Sequence, residues 1–230
     1  MKMDFSANQH NRNSEENYFR KCCIILWNNM SFLLLGNLLF IIFCTPSFIL
    51  FFTGDIVLFL WTSCLSAIPG FSGLLYFVAK IIQEGNSSLK NFFSGFLHFY
   101  GRSAMFGIVW VLSLLGILNT LQVHQKITIG IIGLMVLVFV IFLFVTTLLA
   151  QAFPLMALKP WITLRTLLSC ALFLASKYRV QTAGIILFGF LCILVIWWSK
   201  LSLIFILPAI WAVFACELTA RLLTALEMPE

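Results

Sequence analysis

The sequence predicts an all-α, polytopic membrane protein with six transmembrane helices and two cytoplasmic juxtamembrane amphipathic helices. Two observations carry this. The 230 residues are 62% hydrophobic and only 10% charged, against about 45–50% and about 25% in soluble domains. A soluble chain of this size leaves about a quarter to a third of its unfolded surface in water, and that surface needs polar groups. A mean hydropathy of +1.06 leaves too few of them. The apolar residues also fall into continuous runs long enough to cross a ~30 Å hydrocarbon core at 1.5 Å per residue. They lack the period-two alternation of a membrane barrel. A soluble enzyme, a disordered chain, a collagen and a disulfide scaffold are excluded.

Residues 1–22 read as a polar cytoplasmic tail, with Glu15, Glu16, Arg20 and Lys21 near its end. The apolar run after it is too long for a signal-peptide core and lacks a small-residue cleavage site, so the first span is expected to stay as an anchor. Residues 23–225 form one six-helix domain, and residues 226–230 a cytoplasmic C-terminus. The first span lies within Cys23–Phe52, interrupted by Asn28, Asn29 and Asn37. The second is Ile56–Ala79, with Pro69, Gly70 and Gly73 inside it. The third is Ala104–Val123, the fourth Ile127–Ala150, and the fifth Thr182–Trp198. The sixth is Leu201–Leu223, with Pro208 inside it.

Charge sets the orientation. The formal charge is +6, from 14 Lys and Arg against 8 Asp and Glu. With six spans, the opposite face carries only Lys126 and Lys200, in short turns. The positive-inside rule then places both termini in the cytoplasm. Trp27, Trp161, Trp197 and Trp198 fall near span ends, where amphipathic rings prefer the interface. No basic run with interleaved aromatics is present to follow a phosphate backbone, so nucleic acid is not expected as a partner.

The two inner loops, 80–103 and 151–181, are much longer than the outer turns. Asn86–Ser88 offers N-cap chemistry. Leu89, Phe92, Phe93, Phe96, Leu97 and Tyr100 then make one apolar stripe. In the second loop Pro160 can open a helix at its first position. Thr163, Thr166 and Ser169 would be its polar face, opposite Trp161, Leu164, Leu168 and Leu172. A protein partner, if there is one, should meet these loops. The other expected partner is the lipid bilayer.

Residues able to carry chemistry are few. Glu217 is the clearest, because an ionisable group inside a bilayer is costly. It reads as lying roughly 9 Å from the centre of the last span toward the cytoplasm. Arg221 follows one turn later, in the favourable acid-before-base order. A pair that snorkels and anchors the last helix is favoured over a proton-coupling or substrate role. Asn28, Asn29, Asn37, Asn119 and Gln151 read mainly as amides bonding across helices. Pro69, Gly70, Gly73, Pro154 and Pro208 are candidate hinge positions, since proline removes a backbone donor and glycine permits close approach. Gly107, Gly130, Gly133 and Gly184 are expected to serve helix packing. The seven cysteines form no CxxC pair and read as small hydrophobes. The three histidines have no ligand spacing, and there is no nucleophile elbow or phosphate loop. Neither a metal, a cofactor nor an enzyme activity is expected.

Three stretches give a family resemblance. They are Gly36–Asn37–Leu38–Leu39–Phe40–Ile41–Ile42–Phe43–Cys44–Thr45–Pro46, the segment from Ile68–Pro69–Gly70–Phe71–Ser72–Gly73 to Tyr76 and Lys80, and Ala152–Phe153–Pro154–Leu155–Met156–Ala157. Asn91–Phe92–Phe93 with Phe96 follows the second, and Leu167 and Ala171 follow the third. In these the chain resembles the YesL-like family of small bacterial integral membrane proteins, a family of unknown function. It departs in a longer stretch between Pro46 and Pro69, and in lacking the acidic residue after the central motif, where Lys159 is nearby. The resemblance implies a multi-pass protein of a bacterial plasma membrane and a link with carbohydrate uptake. The expected function is therefore that of an accessory or regulatory component beside a carbohydrate transporter. The alternative is a membrane-spanning permease subunit that needs a separate cytoplasmic ATPase.

Overall fold

A computed structural model describes residues 18–85, 88–122, 129–199 and 202–227. Among them the fold is all-α, with six helices long and apolar enough to cross a membrane. The elements in order are α1 (residues 18–28), α2 (Met30–Phe52), α3 (Ile56–Thr62), α4 (Ile68–Glu84), α5 (Leu89–Gln122), α6 (Ile129–Leu158), α7 (Leu164–Lys177), α8 (Arg179–Trp198) and α9 (Leu207–Glu227).

The chain turns between α2 and α3 at Gly54, whose φ of +84° suits glycine. Asp55 then caps α3 by accepting the Leu58 N–H at 3.0 Å. A π-helical turn, Ser63–Ala67, joins α3 to α4. Its cause is Pro69. Proline has no N–H to donate, and its ring crowds the carbonyl four residues earlier. One wider turn absorbs both effects, so α3 and α4 run on as a single span instead of breaking.

Three expectations about the loops are corrected. The stripe at 89–100 is not a separate surface helix but the first three turns of α5. No proline interrupts residues 89–122, and tertiary packing carries the helix through. The buried face is Phe92, Gly95, Phe99 and Ser103, against α4, while Phe93, Leu97 and Tyr100 are exposed. Of the expected cap, Asn86 and Ser87 lie outside the described residues. The fourth span likewise continues through Pro154 to Leu158, because Ala152, Leu155, Met156 and Ala157 are buried under α7, α4 and α9. Pro160 does not open the next helix. Lys159–Ile162 form a turn, and Thr163 caps α7 by accepting the Thr166 N–H.

The sixth span is corrected too. A 3₁₀ turn, Ser202–Phe205, precedes α9. Pro208 is therefore the second residue of a helix, where its missing N–H costs little, and not a kink inside one. Lys126, with the rest of residues 123–128, and Lys200 lie outside the described residues.

Two large joined cores, with a smaller cluster at Leu60, Cys64 and Val111, hold the bundle. One centres on α4, with Leu74, Leu75, Phe77 and Val78 fully buried against Cys22, Ala212, Val213 and Cys216. The other joins α5, α6, α7 and α9 through Phe99, Leu155, Met156, Leu167 and Leu174. Burying such a side chain is worth about 1.5–3 kcal/mol in water. Between helices within lipid that drive is absent, and close packing and hydrogen bonds do more of the work.

Candidate functional site: a buried carboxylate beneath the first helix

The first helix does not run straight into the membrane span. The backbone leaves helical geometry at Asn29, with φ −117° and ψ 17°, and bends there; the Asn29 side-chain amide donates to the Ile25 carbonyl at 3.1 Å beside its own backbone N–H. The bend lets α1 lie against α9. Cys22 is fully buried there, Tyr18, Ile25 and Leu26 are half-buried, and Phe19, Arg20, Lys21 and Trp27 face outward.

Glu217 sits under this contact with no exposure. It lies within one helical turn of the middle of the sixth span, nearer the centre than the sequence reading placed it. The reason is the helix end: α9 runs on to Glu227, and its candidate span reaches Leu226. Lys21 Nζ is 2.7 Å from Glu217 Oε1, and Arg221 Nε donates to the same oxygen at 3.1 Å. The Tyr18 hydroxyl donates to the Phe214 carbonyl at 2.7 Å, and its ring lies 5.1 Å from the Arg221 guanidinium. Glu217 Oε2 has no hydrogen-bond partner among the described residues. A lone buried carboxylate would be costly, and two cations from two helices compensate it. The expected Glu217–Arg221 pair is present. Lys21 and Tyr18 are partners that sequence reasoning missed.

Burial also acts on the thiol of Cys22, pushing it up to about 11, while its hydrogen bond with Tyr18 opposes the rise. Burial pushes the Tyr18 hydroxyl up as well. Cys23, the next residue, is exposed. Maleimide attacks the thiolate. In variants retaining only one of the two cysteines at 22 and 23, Cys23 is expected to label between pH 7 and 9. Cys22 should stay unlabelled until the pH nears its raised value or the fold opens. Equal labelling rates, read by intact mass, would show that α1 does not rest on α9.

The other predicted positions are structural and separate from Glu217. Asn37 is fully buried, and its Nδ2 donates to the Ile204 carbonyl at 2.9 Å, tying α2 to the 3₁₀ turn. Pro69 and Gly70 are buried, and a Cβ on Gly70 would lie 2.8 Å from Phe43 Cβ. A Cβ on Gly73 would lie 3.0 Å from the Phe92 carbonyl oxygen. Pro154 is buried inside α6.

Gln151 is the centre of a second polar group. Its Nε2 donates to Thr182 Oγ1 at 2.9 Å, and its Oε1 accepts from Thr219 at 3.4 Å. All three are buried, so one amide ties α6, α8 and α9 together. Ser72 and Ser103 pair between α4 and α5 at 3.4 Å, and Trp211 Nε1 donates to the Ile185 carbonyl at 3.1 Å. The serines and threonines give no sequence signal, being common in helices of both faces. Asn28 and Asn119 are exposed. Among the described residues no group of three or more His, Cys, Asp or Glu could hold a metal ion.

Set beside known protein families, curated proteins and solved structures, the chain matches none of them.

Proposed function

We propose that this chain is a non-enzymatic accessory or regulatory component of a bacterial plasma membrane, with both termini cytoplasmic, serving a carbohydrate uptake system by protein contact. The carbohydrate context rests on the resemblance to YesL-like proteins in the three stretches named above. The contact mode rests on how the polar groups are used. Asn37, Gln151, Thr182, Thr219, Ser72 and Ser103 bond from helix to helix, which favours a holding role over a solute path.

One observation carries the reading. Trp161 is 80% exposed on a turn that is held firmly in place. Arg102 Nη1 donates to the Ile162 carbonyl at 3.0 Å, and His98 Nε2 lies 3.4 Å from the Pro160 carbonyl. Next to it α7 hides Leu167, Ala171 and Leu174 and exposes Arg165, Phe173 and Lys177. A large exposed aromatic side chain on a hydrogen-bonded turn is the residue type that dominates binding hot spots.

The test is a photo-crosslinking residue in place of Trp161 in cells growing on sugars. A discrete protein adduct is expected, and Trp161→Ala should weaken that complex roughly 30-fold, the loss of about 2 kcal/mol. Adducts with lipid alone would overturn the reading. Sugar movement by liposomes holding this chain and a candidate ATPase would favour the permease alternative.

A further inference from the structure

The bend that lays α1 on the sixth span costs backbone pairing. The ladder of α1 ends with the Asn29 N–H on the Ile25 carbonyl at 3.1 Å, and that of α2 begins with the Leu33 N–H on the Asn29 carbonyl at 2.9 Å. The N–H groups of Met30, Ser31 and Phe32 fall between the two, outside the ladder of bonds to the fourth residue back. No side chain caps this start of α2. A helix running straight through Asn29 would restore those bonds.

The contacts that hold the bend are few. Cys22 is the one fully buried side chain among residues 18–28, and Tyr18, Ile25 and Leu26 are half-buried. The Tyr18 hydroxyl on the Phe214 carbonyl, Lys21 on Glu217, and the rings of Tyr18 and Phe19 on Phe214 complete the clasp. Nearer the bend the helices stand apart. A groove of about 300 Å³ separates Trp27 and Met30 from Phe205, Ile206 and Ile210. The chain can therefore turn at Asn29 with little displacement of packed side chains on that side. Glu217 Oε2, buried without a partner among the described residues, weighs against the closed form as well.

We propose that α1 is a strap with two positions: bent onto α9, as in this structure, and straight, continuing α2, with Glu217 uncovered. The bent form has the clasp and the straight form has the unbroken ladder, so a change at either shifts the balance. Arg221 stands on the same helix as Glu217, so the carboxylate keeps that cation when Lys21 leaves. The strap does not rest on the function proposed above.

The test is pulsed electron resonance on the full chain in lipid nanodiscs, with Cys23 and Cys170 replaced by alanine and spin labels on Arg20→Cys and Ala225→Cys. A major short distance is expected, with a second one longer by roughly 10 Å, the travel of a ~16 Å arm turning through about 40°. Lys21→Gln should raise the ratio of long to short about fivefold, the effect of one partly exposed ion pair. Asn29→Ala and Asn29→Gly both remove the amide bond to Ile25, but alanine favours the straight helix. The ratio should therefore be about fivefold higher in Asn29→Ala than in Asn29→Gly. Labels on Ser94→Cys and Ser176→Cys, exposed positions on α5 and α7, should keep one distance throughout. A short distance alone in Lys21→Gln, or equal ratios in the two Asn29 variants, would overturn the proposal. So would a parallel change between positions 94 and 176, which would mean that the whole bundle loosens.

Discussion

Removing the two cations that face Glu217 is expected to damage the fold more than removing Glu217 itself. The asymmetry follows from exposure. The Glu217 side chain is 1% exposed, whereas those of Lys21 and Arg221 are 54% and 32% exposed. In Glu217→Gln the cations turn toward water or headgroups, and the loss is that of a net hydrogen bond, about 1 kcal/mol. In the double variant Lys21→Met, Arg221→Met the carboxylate remains buried without compensation. Breaking a buried pair in that way costs about 3–5 kcal/mol. Adding Glu217→Leu to the double variant should return most of the loss, because an apolar replacement of a whole buried ion cluster is often close to neutral. Unfolding free energies in detergent should thus rank wild type, Glu217→Gln, and double variant in falling order, with the triple variant above the double. A double variant as stable as Glu217→Gln would mean that Glu217 is not held as described.

The same cluster shows where sequence reasoning stops. That this is a membrane protein with six spans was legible, because span length is set by bilayer thickness and apolar runs record it directly. Glu217 and Arg221 were legible as a pair because helical spacing joins residues four apart. Lys21 was not, because it stands 196 residues before Glu217 in a segment that reads as a polar tail. Only the bend at Asn29 brings it back. Helix ends failed for a related reason. The amphipathic stretch at 89–103 and the stretch at 151–158, marked by Gln151 and Pro154, do not read as parts of a span, yet they stay helical because other helices cover one face. Pro69 and Pro208 were visible as interruptions. Whether each breaks, kinks or starts a helix depends on where the chain begins its turn, and the residue alone does not say.

Glycine shows the limit most sharply. Gly107, Gly130, Gly133 and Gly184 are the expected packing positions, and the structure keeps only the first of those whose surroundings it describes. A Cβ on Gly107 would meet Ile68 Cδ1 at 2.7 Å, whereas Gly133 and Gly184 face open space. Gly133 lies on a half of α6 whose neighbours Leu134, Val136 and Leu137 point outward. The closest approach is instead between α4 and α5. A Cβ on Gly95 would lie 2.6 Å from Tyr76 Cβ and 2.9 Å from its Cγ. Tyr76 has little room to yield, since its ring packs on Phe99 at 5.6 Å and Lys80 lies over it at 5.8 Å. Gly73 closes the same contact from α4, against the Phe92 backbone. Gly95→Leu must therefore push the two helices apart and strain the Ser72–Ser103 layer beyond, at a cost of at least 1–3 kcal/mol, the range for overpacking. Gly133→Leu, the same chemical change in a span, should stay within about 0.5 kcal/mol. Thermal melts of the two variants in one detergent make the comparison. Equal melting temperatures would mean that the α4–α5 contact is looser than described, and a larger fall for Gly133→Leu would mean that α6 has a packed neighbour on that face.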